Sequence, residues 1–157
     1  MSKIGYTPEH PLLFDGAMGT LFAALPGRVG ERCEEASLTH PGEISAIHHA
    51  YLEAGARAIK TNTFGLGTEL AQGNEALAGE LIAAASRLAL EAAAPYGALV
   101  FADLGPIPGD SLRSPEELFL LQAEQFVSAG VTHFLVETLS SDEGIPQLAA
   151  WLGANCP

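Results

Sequence analysis

Two kinds of apolar pattern alternate along the chain. Short runs dense in Leu, Ile, Val and Phe occur at "PLLFDG" (11–16), "ARAIKTNTFG" (56–65), "GALVFADLG" (97–105) and "THFLVETLS" (132–140), and each passes into polar residues or glycine. Runs of that length and composition predict strands. Between them, apolar residues recur every three or four positions in "PGEISAIHHAYLEAG" (41–55), "NEALAGELIAAASRLALEAAA" (74–94) and "SPEELFLLQAEQFVSAG" (114–130), and "SDEGIPQLAAWLGANC" (141–156) closes the chain. That period predicts helices. Ile44, Ile47, His48 and Tyr51 fall at i, i+3, i+4 and i+7 and mark one core-facing stripe.

The ends of these segments carry their own signals. Ser114 before Pro115, with Glu116 and Glu117 in the first turn, offers an N-cap, a proline at N1 and acidic residues at the positive end of the helix dipole. Gly55 and Gly130 stand where helix C-terminal glycines belong, and Thr39, His40 and Pro41 open the first long helix. Pro146 belongs in the first turns of the last helix. The alanine-rich stretch 74–94 is suited to close packing on a sheet.

Strand and helix in strict succession imply a parallel sheet with right-handed crossovers, an α/β fold. In such sheets the ligand groups gather where strands run into the following helices. That rule selects Asp15, then Thr61, Asn62 and Thr63, then Asp103, then Glu137 and Thr138. The long connection from Met18 to Pro41 leaves the same end, and a connection of that length suggests a functional loop or lid.

Each candidate has an ordinary role to set beside the functional one. Asp15–Gly16 is a common turn pair. Asn62 between threonines can end a strand by bonding its own backbone. Asp103, followed by "LGP", reads as a turn residue. Glu137 follows "FLV" in a strand that should be buried, where a carboxylate is costly unless paired or used. His48 and His49, inside a helical pattern, read as packing or solvated residues.

Composition narrows the class. With 157 residues, 48% of them hydrophobic, the chain suits one globular domain with a real core. A net charge of −12, from 19 acidic against 7 basic residues, argues against nucleic acid as a partner. "MSKIGYTPEHP" holds no signal-peptide core and no window is apolar enough for a membrane span, which predicts a cytoplasmic protein without membrane contact. Cys33 and Cys156 lack metal-type spacing, so neither a disulfide framework nor a zinc knuckle is expected.

Taken together, "LLFDGAMGT", "SLTHPGEISAIHHAYLEAGARAIKTNTFG", "ADLGP" and "FLVETLSS" resemble the successive strand and loop motifs of the homocysteine S-methyltransferase family, from about Pro11 to Ser141. That family includes the homocysteine-binding module of cobalamin-dependent methionine synthase and the betaine and S-methylmethionine enzymes. The resemblance implies parallel (β/α) units of a TIM-type barrel, about four of the eight being present: a half barrel. It divides the chain into an N-terminal extension, 1–10, and the N-terminal half of a homocysteine-binding barrel, 11–157. It implies methyl transfer to the thiol of homocysteine, forming methionine, with a zinc ion that binds the sulfur as thiolate.

Carried over position by position, Asp15 of "DGAMGT" and Glu137 of "VET" match acidic residues that the family places around the homocysteine amino group. Gly16 and Ala17 are small enough for close backbone approach, and Asn62 and Thr63 of "TNTFG" line the same pocket. The family's zinc cysteines lie late, one after the sixth strand and a Gly-Gly-Cys-Cys pair after the eighth, and neither Cys33 nor Cys156 falls in such a motif. Zinc is therefore expected for the complete domain and not from residues of this chain. Lys60 stands where many relatives carry an acidic residue, and the resemblance assigns it no role. The methyl donor is not named by these motifs.

Two alternatives stand beside an incomplete methyltransferase. One is a non-catalytic half-barrel binding or interaction protein that keeps an acidic amino-acid pocket. The other is a different half-barrel enzyme using Asp15 and Glu137 as acid and base. A half barrel exposes strand edges and an inner face, which predicts pairing with a second copy or with a complementary half, or else a marginally folded, aggregation-prone chain.

Overall fold

The computed structural model describes residues 11–156, so the expected extension at 1–10 lies outside the described residues. Three parallel strands form the sheet: β1 (Ala58–Lys60), β2 (Leu99–Leu104) and β3 (His133–Val136), in the order β1-β2-β3. The register places Lys60 beside Phe101, Phe101 beside His133 and Asp103 beside Leu135.

The run at 11–16 is not a full strand, which corrects the expected four-strand array. Phe14 meets Ala58 in an isolated parallel bridge, with Leu13 O accepting from Arg57 N and Asp15 N donating to Ala58 O. The ladder stops there because the next donor, Lys60 N, is taken by a side chain: Asp15 Oδ2 accepts it at 3.0 Å. One carboxylate thus ends the strand and is held against β1 by the same bond.

The helices are α1 (Met18–Ala23), α2 (Ala36–Thr39), α3 (Pro41–Glu53), α4 (Leu66–Ala71), α5 (Glu75–Ala93), α6 (Pro115–Ser128) and α7 (Ile145–Asn155). At α6 the expected cap is complete: Ser114 Oγ accepts from Glu117 N while Glu117 Oε2 accepts from Ser114 N. Gly55 and Gly130, at φ +107° and +88°, make the left-handed turns that follow α3 and α6. The last helix starts at Ile145 instead of 141, after a left-handed Gly144 and with proline in its first turn. The second predicted strand is shorter than expected, because "TNTFG" turns away from the sheet and enters α4, a helix hidden in the sequence by its brevity and its flanking glycines.

Strand alternation separates two faces. Ile59, Val100, Ala102 and Leu104 point to the helices, where they meet Leu81, Ile82 and Ala89 of α5 and Phe119, Ala123 and Phe126 of α6. Burial of each large side chain there contributes roughly 1.5 to 3 kcal/mol. Lys60, Phe101 and Asp103 point the other way. Phe101 is shielded by Phe14 and His133, with ring centroids 4.8 and 5.2 Å away. From Val100 onward every residue of β2 is buried, whereas all of β3 is half-buried.

Residues 18–40 do not form a free lid. They carry α1 and α2, and the stretch between is pinned to the body. Arg28 donates two hydrogen bonds of 2.8 Å to the Glu43 carboxylate, Arg32 pairs with buried Glu69, and Glu34 Oε1 accepts from Gly65 N at 2.8 Å.

Candidate functional site

The ends of the bridged run and of the three strands open on a cavity of about 340 Å³, whose walls include Asp15, Gly16, Ala17, Cys33, Glu34, Lys60, Asn62, Thr63, Asp103 and Glu137. Every residue selected for the site from sequence, Asp15, Gly16, Ala17, Asn62, Thr63 and Glu137, lies in this wall. A roomier hollow of about 480 Å³ lies beside the loop around Pro108, but its ionisable wall residues are Arg113, already paired with Glu75, and exposed Glu143. The chemistry is concentrated in the smaller cavity.

Backbone bonds fix where each group stands. Asp15 is held by Lys60 N, and Glu137 is carried to the end of β3 by its own N–H, which donates to Leu104 O at 3.1 Å. The next residue, Thr138, has φ +61°, a left-handed conformation that costs a β-branched residue and turns the chain sharply away beyond the carboxylate. Gly16 leaves room for Tyr51: a Cβ there would lie 2.8 Å from Tyr51 Oη, whose hydroxyl donates to Ala17 O at 3.3 Å.

Asn62 is fully engaged. Its Nδ2 donates to Cys33 O at 2.6 Å and to Ser37 Oγ at 3.1 Å, and its Oδ1 accepts from Cys33 Sγ at 3.1 Å. Thr63 Oγ1 donates to Asp103 O at 2.8 Å and shares a 2.7 Å bond with Thr61 Oγ1, which in turn accepts from Asp103 N at 3.0 Å. These residues shape the wall and spend their polar groups on other protein atoms.

Asp103 is the residue that sequence reasoning misjudged. It is no turn residue: it lies inside β2, 4% exposed, and lines the cavity. The available signal was position, because its side chain must share a face with Phe101 and oppose Ala102 and Leu104. Burial pushes its carboxyl up to about 7, against the opposing pull of Lys60, with Glu137 and Asp15 adding to the rise. Burial likewise pushes Asp15 up to about 6. Oδ1 of each is buried and has no hydrogen-bond partner.

Lys60 stands among these acids. Its Nζ donates to Glu137 Oε1 at 2.8 Å and lies 3.6 Å from Asp103 Oδ2. Burial opposes its charge, but the hydrogen bond it donates to Glu137 and the charges of Asp103, Glu137 and Asp15 outweigh it and hold the ammonium above the ordinary lysine range.

No group of three or more His, Cys, Asp or Glu able to hold a metal stands together among the described residues. Cys33 is a poor metal ligand as it stands, because burial first, and Glu34 second, push its thiol up to about 12 while the S–H donates to Asn62. The residues of this stretch do not fit a thiolate zinc site.

A sequence model described as homocysteine S-methyltransferase matches residues 12–155. The chain belongs to the homocysteine S-methyltransferase family. Crystal structures of the homocysteine methyltransferase MmuM from Escherichia coli share its fold. The metallated form superposes with a TM-score of 0.74 at 24% identity, and the oxidized form with 0.74 at 26%. The apo form gives 0.68 at 28%. Each match covers 91% of this chain, and this chain spans 59%, 58% and 55% of theirs. The three-strand parallel sheet and its helices accordingly correspond to part of a TIM-type barrel. Among the described residues no helix is long and apolar enough to cross a membrane.

Proposed function

We propose that this chain forms the amino-acid-holding portion of a homocysteine S-methyltransferase, transferring a methyl group to the homocysteine thiol once a cysteine-bearing remainder completes the barrel. The observation that carries the reading is the convergence of Asp15, Asp103 and Glu137 on one cavity at the strand ends of a chain belonging to this family. Carboxylates there suit the substrate ammonium, each supplying charge and acceptor capacity. Holding that end of the molecule leaves its sulfur free to face whatever group activates it. Zinc, when bound in a complete family domain, supplies that activation by favouring thiolate; its ligands lie outside the residues described here.

The remainder would also cover β3. All four residues of that strand are half-buried, and its outer edge offers backbone groups to a further strand. A second copy of this chain or a complementary half would serve the same physical need. We read residues 11–157 as one unit of this kind, operating in the cytoplasm.

Reconstitution tests the proposal. The chain is combined with the C-terminal portion of a family member carrying its cysteines, and homocysteine-dependent methyl transfer is followed. Activity that disappears in Asp15→Ala while bound metal is retained is the expected result. A folded, metal-loaded complex that methylates no homocysteine with any of the family's donor types would overturn it.

A further inference from the structure

The cavity wall carries four carboxylates and one lysine; Glu34 is taken by the Gly65 N–H, and the lysine does not serve the other three equally. Glu137 receives the Lys60 ammonium at 2.8 Å, a full hydrogen bond, whereas Asp103 Oδ2 sees it at 3.6 Å and Asp15 bonds only the Lys60 backbone N–H. Acceptor capacity is left on the two aspartates. Oδ1 of Asp15 and Oδ1 of Asp103 are buried without any donor, and Asp103 is 96% buried on the cavity wall. A buried acceptor with no donor is unfavourable, so both oxygens favour an incoming N–H group. The charge count agrees: four acids and one ammonium leave room for one more cation without expelling Lys60.

We propose that Asp103, together with Asp15, forms the seat for a ligand ammonium in this chain, and that Lys60 determines this choice by occupying Glu137. Lys60 is then a specificity-determining residue. It neutralises one carboxylate from within and moves the seat toward β2, shifting a bound amino acid away from β3. Thr61 and Thr63 hold the Asp103 backbone on both sides, which fixes the new seat. The inference deepens the proposed function and rests on its reading of the cavity as an amino-acid site.

The test is a calorimetric titration of the 157-residue chain at pH 8 with L-norleucine, a primary ammonium of suitable length, and with hexanoate, which lacks the amine. Norleucine should bind and hexanoate should not. Asp103→Asn should weaken norleucine by roughly ten- to a hundredfold, the loss of one charge-assisted hydrogen bond. Glu137→Gln should change it by less than about threefold while Lys60 is present. In a Lys60→Met background, Glu137 is released and Glu137→Gln should then cost roughly tenfold, a coupling that general damage to the fold would not produce. Equal losses from Asp103→Asn and Glu137→Gln with Lys60 in place would overturn the inference, as would no binding of norleucine. Normal norleucine binding by a chain whose reconstituted complex methylates no homocysteine would retain this seat and reject the proposed function.

Discussion

The two walls of the cavity treat polar atoms in opposite ways. On the side of β1 and its following turn, Asn62, Thr61 and Thr63 have found partners within the protein: Cys33, Ser37 and the Asp103 backbone. On the side where Asp15 and Asp103 stand, two buried carboxylate oxygens have none. Satisfied buried polar networks rigidify and specify structure, and unsatisfied ones store unfavourable energy that a ligand can relieve. The first wall is scaffold and the second is receptive. Removing groups from the first should cost stability, and removing charge from the second should raise stability while costing binding.

The largest effect expected is on the receptive wall. Unfolded Asp103 titrates near 3.8 and the folded residue near 7, so the folded state prefers the protonated acid. Its contribution to stability is complete below pH 3.8 and is lost as pH rises to about 7, a change of about 4 kcal/mol for a shift of that size. Asp103→Asn should flatten this part of the stability profile and leave the variant more stable than the parent at pH 8. Urea denaturation at pH 4, 6 and 8 measures it, and parallel profiles for the two proteins would break the comparison.

On the scaffold wall, Asn62→Ala removes three hydrogen bonds, leaving Ser37 Oγ without its donor and Cys33 O with only the Ala36 N–H. A loss of about 3 kcal/mol is expected, independent of pH between 6 and 8. Faster hydrogen exchange across residues 28–37, the segment Asn62 ties down, would accompany it. An Asn62→Ala protein of unchanged stability would make that wall receptive too.

His48 sharpens the comparison from outside the cavity. It is fully buried in α3 and both ring nitrogens lack partners. Burial, aided by His49, lowers its pKa from 6.5 to about 4, so the folded state disfavours the imidazolium. Stability from this residue is complete above pH 6.5 and falls by about 3 kcal/mol as pH drops to about 4, opposite in sign to Asp103 over the range they share. His48→Leu should abolish the acid-side loss without altering ligand binding. The smallest effect is at the α6 cap, where Ser114→Ala should cost about 1 kcal/mol at every pH and serves as the reference for a purely local change.

Much of the architecture was legible because it rests on local rules. Apolar period placed α3, α5 and α6 within a few residues of their observed limits, and the Ser114 N-cap and the glycines after α3 and α6 marked their ends. α1, α2 and α4 escaped, since each is a turn or so of helix held by contacts made elsewhere: Arg28 with Glu43, Arg32 with Glu69, Glu34 with Gly65. The first strand failed for a related reason. Whether "PLLFDG" extends its ladder depends on which atom meets Lys60 N, and the answer is a side chain of Asp15.

The sequence by itself determined the parallel α/β class, the approximate limits of α3, α5 and α6, and the set of strand-end residues from which a site is built, because propensity, period and capping act within a few residues of one another. Tertiary structure alone decided how those residues divide. Lys60 and Glu137 are 77 positions apart, and only the register of three strands brings the ammonium of one onto the carboxylate of the other. That single long-range pairing leaves Asp15 and Asp103 with the unpaired oxygens, and burial and charge compensation depend on such distances through space, which no local pattern encodes.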